Sequence, residues 1–336
     1  MLKNVLFTIL CLFTLQAVKA GVPDSLVVYL KNSGKKVSSK DSADFYRIIL
    51  PPDTTADKDL YRVFEYYPNG KIKSVATSYT ATDFPVLDGV CIDYFRNGKR
   101  KSTSTYKNGA LSGEQTNYYP NGKVYDILKI EPSNLWYNDA YYRGYSQQVW
   151  GTQKVTVVEL RDSLGNVLTS KGTGHIIVYD QDFKTIKEEG DLKNNKQEGE
   201  WKGKFADSVE YICNFHKDEL KSGTAYTKSG HQYSFKKITV QPVFSDGRDE
   251  FFYFIKKNLQ YPESARKRKV AGSVLVGFDV ETNGTVSNVK VVRGILKSLD
   301  DEAVRVVSLS PLWVPGYVFG IPIITHNTVS VNFSPY

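Results

Sequence analysis

The chain has 336 residues, is 41% hydrophobic and 24% charged, and carries a formal net charge of +8. That length supports two or three domains with a core in each, and the balance is that of an ordinary globular protein. No nucleic-acid-binding pattern accompanies the positive charge. Tyrosine stands out, 23 against one methionine. With frequent Asn-Gly and Asp-Gly steps, this favours β structure.

Residues 1–20 read as a signal peptide. Lys3 supplies the positive start, residues 5–15 the apolar core, and Val18-Lys19-Ala20 the small residues at the cleavage positions, so cleavage is expected after Ala20. The apolar run is shorter than the roughly 20 residues a membrane span needs. Ile9 and Leu10 before Cys11 do not fit a lipoprotein. The expected location is the periplasm; an uncleaved inner-membrane anchor facing the periplasm is the alternative. Cys91 and Cys213 remain after cleavage. An oxidising compartment would permit a disulfide, but without a cysteine framework two buried, unpaired thiols are expected.

Residues 21–60 form an N-terminal β segment that opens with a strand at 26–30. The next region, 61–235, repeats, with an interruption at 129–171. Tyr66-Tyr67-Pro68-Asn69-Gly70-Lys71 returns as Tyr94-Phe95-Arg96-Asn97-Gly98-Lys99 and as Tyr118-Tyr119-Pro120-Asn121-Gly122-Lys123. Gly98 and Gly122 stand 24 residues apart, as do Gly199 and Gly223 in eroded later copies. A fixed period of this size marks a repeat. The physical unit is a β-hairpin, in which Asn69-Gly70, Asn97-Gly98 and Asn121-Gly122 supply residues tolerant of positive φ. One hairpin cannot bury a face, but a stack can. Within the interruption, the aromatic stretch 136–145 reads as a loop or bridging strand, 155–160 as a strand and 162–166 as a turn.

Residues 236–247 read as a linker and 248–336 as a separate domain. A helix is expected over 249–259, with Phe251, Phe252, Ile255 and Leu259 on one face. Pro262 permits a short helix after it. Val274, Val276, Phe278 and Val280 alternate as in a half-buried strand, and Asn283-Gly284 turns the chain into a second strand through Val289 and Val291. Ser298 and Asp301 have the spacing of a capping box for a second long helix, whose buried face carries Leu299, Ala303 and Val306. A last strand covers 327–333. The fold class expected is therefore a mainly β antiparallel hairpin array followed by a small α+β domain of order α-β-β-α-β, a three-stranded antiparallel sheet with helices on one face.

The ordered set Tyr261-Pro262, Ala265, Gly272, Asn283-Gly284, Leu299, Ala303, Pro311-Leu312-Trp313-Val314-Pro315 and the 327–333 strand resembles the C-terminal domain of the TonB family. The repeats at 61–128, and more weakly those at 172–235, resemble MORN-like repeats of the kind labelled as antitoxin components. The TonB resemblance implies a peptide-binding module, not an enzyme, that accepts an extended segment beside its last strand, at Asn327, Thr328, Val329, Ser330, Val331, Asn332 and Phe333. The partners it implies are periplasmic segments of outer-membrane receptors or other envelope proteins, in energy-dependent transmembrane transport. The chain departs from TonB transducers, which carry an uncleaved N-terminal helix and a Pro-rich spacer. Its 13 prolines are dispersed, and the repeat region occupies the place of a Pro-rich spacer. Pairing of the last strand with its own copy in a homodimer uses the same hydrogen bonds. A second reading is an envelope scaffold that works through the repeat surface without energy transduction.

The search for chemistry yields no argued active site, and no metal, cofactor or nucleic acid is expected. His175, His216, His231 and His326 are scattered, with no nucleophile elbow, zinc helix or phosphate loop. Cys213 and His216 have half a zinc-site spacing, better read as core packing. Asp300-Asp301-Glu302 fits a helix start better than acid–base work. Trp313 either edges a peptide groove or, as favoured, fills the core. The run 266–269, Arg-Lys-Arg-Lys, is either a solvated helix end, the favoured reading, or a patch steering acidic peptides.

Overall fold

The computed structural model describes residues 25–52, 60–131, 155–206, 208–244 and 247–334. The expected signal peptide and the aromatic stretch 136–145 lie outside them. The chain divides into two compact units, Met1–Thr185 and Ile186–Tyr336.

In the first unit, strands follow one another as an antiparallel meander from Leu26–Leu30 to Thr173–Tyr179. Each repeat hairpin carries a polar pair in register across its two strands: Glu65 faces Ser74, Asp93 faces Ser102 and Asn117 faces Asp126. Ser102 donates to Asp93 at 2.6 Å and Asn117 to Asp126 at 2.5 Å. Glu65 is clamped by Arg47 and Lys73, which hold its carboxyl below the ordinary range against the opposing effect of burial. These pairs fix the register, since a slip of one residue would bury a polar group without its partner.

The repeat turns differ in one detail from expectation. Gly70, Gly98 and Gly122 have φ of 82°, 86° and 91°, but the asparagine before each is not in the left-handed region. The turns are three-residue loops closed by bonds such as Phe95 N–H to Lys99 O and Gly98 N–H to Phe95 O. This is a type I turn followed by a glycine bulge, not a two-residue turn with both residues at positive φ. The asparagine instead works through its side chain. Asn97 Oδ1 accepts the Lys99 N–H, and Asn97 Nδ2 donates to Pro120 O in the next turn at 3.0 Å. The lysine does the same, with Lys71 Nζ reaching Arg96 O at 3.2 Å and Lys99 Nζ reaching Asn121 O at 2.8 Å. Asn121 then bonds Ser163 O across 42 residues of sequence where Asn97 bonds Pro120 across 23. The ladder thus crosses the interruption, and the strand Val155–Arg161 pairs directly with Val124–Ile130. It ends at the turn Asp162–Asn166, where no lysine follows the glycine. The next turn holds Phe183 at φ 59°, its ring 5.0 Å from Tyr119 and 5.1 Å from Tyr125.

The second unit opens with five further antiparallel strands, Ile186–Lys193, Lys196–Phe205, Val209–His216, Glu219–Thr227 and Gln232–Phe235. Aromatic rings lie flat on glycines of the neighbouring strand. A Cβ at Gly190 would stand 2.3 Å from Trp201, and one at Gly223 would stand 2.2 Å from Phe235.

Within the stretch 236–247, expected as a linker, two short strands are built into the C-terminal domain. Thr239–Val240 pairs with Gly316–Val318, and Val243–Phe244 pairs with Trp313–Val314. Its apolar residues have partners there, so Phe244 enters the core beside Phe251 and Trp313. The hairpin Gly316–Val318/Ile321–Ile323 carries Phe319 at its tip, with φ 52°. A bulky side chain at positive φ is strained. Burial offsets this: the ring stacks on Tyr211 at 4.2 Å and contacts Phe205 and Phe235.

The C-terminal domain has a three-stranded antiparallel sheet. Gly272–Val280 is central, Val286–Arg293 lies on one side and Thr325–Phe333 on the other. The helices Arg248–Asn258, Glu263–Lys267 and Lys297–Ser308 supply the other half of its core. Two local expectations need correction. Phe252 is 45% exposed, because Phe254 takes its place against the core. The capping box does not form, since Lys297–Ser308 starts from Leu296 without a side-chain cap. Asp300 accepts the Ile295 N–H instead, and Asp301 pairs with Lys297.

Glu188 is buried with Tyr211 Oη at 3.1 Å, and burial raises its pKa from 4.5 to about 7. Below pH 4.5 the carboxyl is neutral in folded and unfolded chains alike, so it costs nothing. From there to about pH 7 the unfolded chain ionises first, and stability falls. Glu188→Gln removes this loss. Its stability relative to the native chain should rise between pH 5 and pH 8 by up to about 3 kcal/mol. Thermal unfolding at both pH values reads the difference, and a difference independent of pH contradicts the assignment.

Candidate functional site

One feature of the second unit that can engage another molecule is a backbone edge. Among the described residues, no strand pairs with the outer side of Thr325–Phe333. Which groups face outward follows from the register. At the hairpin joining the first two strands, Glu281 N–H bonds Thr285 O at 2.8 Å and Gly284 N–H bonds Glu281 O at 2.9 Å. Glu281 therefore directs its backbone groups at the second strand. In a regular strand these groups alternate from side to side, so Gly272, Val274, Val276, Phe278 and Val280 direct theirs at the last strand. Their partners are Phe333, Val331, Val329, Asn327 and Thr325. It follows that Thr328, Ser330 and Asn332, with His326 before them, turn N–H and C=O outward.

The side chains obey the same alternation. Val329, Val331 and Phe333 are buried against the helices, whereas Thr328, Ser330 and Asn332 are exposed. A single parity thus gives each core-facing residue an inward amide and each exposed residue an outward one. Thr328, Ser330 and Asn332 carry no charge, and their side chains bear no part of the core.

The motif residues hold this edge in place. Tyr261 donates its hydroxyl to Val270 O, and its ring meets Phe333 edge-on at 5.8 Å. Pro262 starts the short helix that buries Ala265 completely. A Cβ at Gly272 would stand 2.6 Å from Ile295, and one at Gly284 would stand 2.1 Å from Trp313 O. Leu299 and Ala303 are fully buried under the sheet. Trp313 is half-buried and packs against the core, its ring 4.8 Å from Phe251 and 5.5 Å from Phe278, with Nε1 donating to Ser310 Oγ. Pro311 is exposed and Pro315 half-buried on either side of it. The turn residues Asn69, Gly70, Asn97, Gly98, Asn121 and Gly122 belong to the first unit and serve its ladder.

Several titratable groups have structural partners. Glu302 accepts from Gln260 N–H and Arg305, while Arg305 reaches Asn258 O, tying the first long helix to the second. Hydrogen bonds from Asn288 and then His326 hold Asp279 below the ordinary carboxylate range. His216 pairs with Glu198, and Cys213 faces the interior, so the two do not converge. Burial pushes the free thiols of Cys91 and Cys213 up to about 12. Among the described residues no cluster of His, Cys, Asp or Glu has the arrangement of a metal site. No described helix is long and apolar enough to cross a membrane.

Sequence patterning located this strand and its buried face. It did not locate Phe319, whose signal was only an aromatic before glycine in a segment rich in both.

No curated protein matches the chain. Among solved structures, the NMR solution structure of Helicobacter pylori TonB-CTD (residues 179-285) aligns at 22% identity, over 26% of this chain and 78% of that one, with a TM-score of 0.21. Residues 62–79, 87–108 and 111–128 match the model of the MORN repeat variant. Residues 257–335, which include the central strand and its open neighbour, match the model of the Gram-negative bacterial TonB protein C-terminal.

Proposed function

We propose that the protein is exported to the cell envelope and that its C-terminal domain binds an extended segment of another envelope protein along the outer edge of Thr325–Phe333. The observation that carries the reading is the outward row of backbone groups at Thr328, Ser330 and Asn332. An added strand satisfies such a row with little demand on side chains. The similarity of residues 257–335 to the TonB C-terminal model supports a protein-interaction role rather than catalysis. It also supports periplasmic segments of outer-membrane receptors as the partner class, and a part in energy-dependent transport.

Ser330→Pro and Asn332→Pro each remove an outward donor and keep the buried valines and Phe333. Both should abolish binding when the full chain is titrated with N-terminal segments of the cell's own outer-membrane receptors. Ser330→Ala should leave it unchanged. Binding that survives both prolines in folded variants refutes the edge mechanism. A dimer that the prolines dissociate, and that binds no segment, assigns the edge to self-pairing instead. Export is tested separately. N-terminal sequencing of protein isolated from cells should begin at Gly21, and a chain beginning at Met1 that stays with membranes contradicts cleavage.

A further inference from the structure

We infer that the segment taken up along this edge carries a cluster of carboxylates at the end that meets Phe333, recognised by Arg266, Arg268 and Lys269. The inference rests on the edge reading and adds the chemical class of the partner.

The basic run is fixed beside one end of the open strand. Arg266 and Lys267 end the short helix Glu263–Lys267, and Lys269 N–H bonds back to Arg266 O at 3.0 Å. The next residue, Val270, is held twice: its N–H bonds Ala265 O at 3.1 Å, and its carbonyl accepts the Tyr261 hydroxyl. Tyr261 packs on Phe333, and Gly272 pairs with Phe333. Lys269 precedes Gly272 by three residues, a reach of at most about 10 Å at about 3.3 Å per residue. A strand added along the outer edge and continued past Phe333 comes to the same end of the sheet as this charge.

All four basic side chains are exposed. Lys267 is paired with Glu263 at 2.9 Å. Among the described residues, no ion pair joins Arg266, Arg268 or Lys269 to a carboxylate. The strand Thr325–Phe333 contains no carboxylate to oppose their field. Thr328, Ser330 and Asn332 are uncharged, and Asp279 at the far end is bonded to His326 and Asn288. The edge thus presents neutral backbone along its length and uncompensated positive charge at one end. The backbone row supplies hydrogen bonds without selecting sequence, and the charge selects and orients what binds. A lipid surface would use the charge but leave the adjoining backbone row unpaired, which favours a peptide.

The test uses the full mature chain and synthetic probes. Each probe has an alternating threonine and valine core, with three aspartates at its N-terminal or its C-terminal end. Controls carry asparagines in their place. At low salt, one aspartate probe should bind about tenfold more tightly than its control, the sum of a few exposed ion pairs. Which of the two it is reports the strand direction. The advantage should vanish at high salt and in the triple variant Arg266→Gln, Arg268→Gln, Lys269→Gln, while Ser330→Pro should remove binding of every probe. Equal affinities for aspartate and asparagine probes, still lost with Ser330→Pro, would overturn acid recognition and leave the edge reading intact. No probe binding, with vesicles of phosphatidylglycerol and phosphatidylcholine captured through the three basic residues, would assign the run to lipid and overturn the inference. Failure of all probes and vesicles would overturn both readings.

Discussion

The architecture of the C-terminal domain hangs on one alternation. Along Thr325–Phe333, residues whose side chains enter the core also direct their backbone groups at the central strand. The residues between them turn both side chain and amide outward. The parity is set some fifty residues earlier, at a hairpin where Glu281 and Gly284 close a three-residue loop. Because Val329, Val331 and Phe333 must stay buried, the strand cannot slip by one residue without exposing all three. The open row of amides is therefore as firmly specified as the core. A surface with almost no side-chain chemistry of its own is fixed by packing on the opposite face.

The repeat array reaches specificity by other means. Its interior mixes apolar residues such as Ile49, Val63 and Leu160 with buried polar ones such as Ser102, Ser104 and Asn117, so hydrophobic pattern alone would leave register loose. Paired groups do that work: Asp93 with Ser102, Asn117 with Asp126, and Glu65 between two cations. Turn-to-turn bonds from asparagine and lysine then space the hairpins. Because these bonds join places in space, the ladder continues from Asn121 to Ser163 although the sequence period is broken there.

Much of this was legible in the sequence because it follows from period and turn chemistry. Alternation at Val274, Val276, Phe278 and Val280 marks the central strand, and the repeated Asn-Gly-Lys marks the hairpins. The misreadings were settled by competing partners, some local and some distant in sequence, that residue spacing does not specify. Ser298 and Asp301 have the spacing of a capping box, but Asp300 is engaged by Ile295 and Asp301 by Lys297. Phe252 fits the helical stripe, yet Phe254 lies against Phe244 and Phe251. The stretch 236–247 looks like a linker until Trp313 and Val318 supply its partner strands. Phe319 is the clearest case. A phenylalanine at positive φ has no local justification, and only the pocket of Tyr211, Phe205 and Phe235 makes it favourable. Through that ring, the C-terminal domain is keyed into the hairpins of its own unit.

The central claim concerns which amides of the last strand are free, and residue-resolved hydrogen exchange reads this directly. In the unbound chain, the amides of Val329 and Val331 should be protected and those of Thr328, Ser330 and Asn332 should exchange rapidly. Addition of a binding segment should protect the second set and leave the first unchanged. Slow exchange at Ser330 and Asn332 in the unbound monomer, or rapid exchange at Val329 and Val331, would contradict the register on which the account rests.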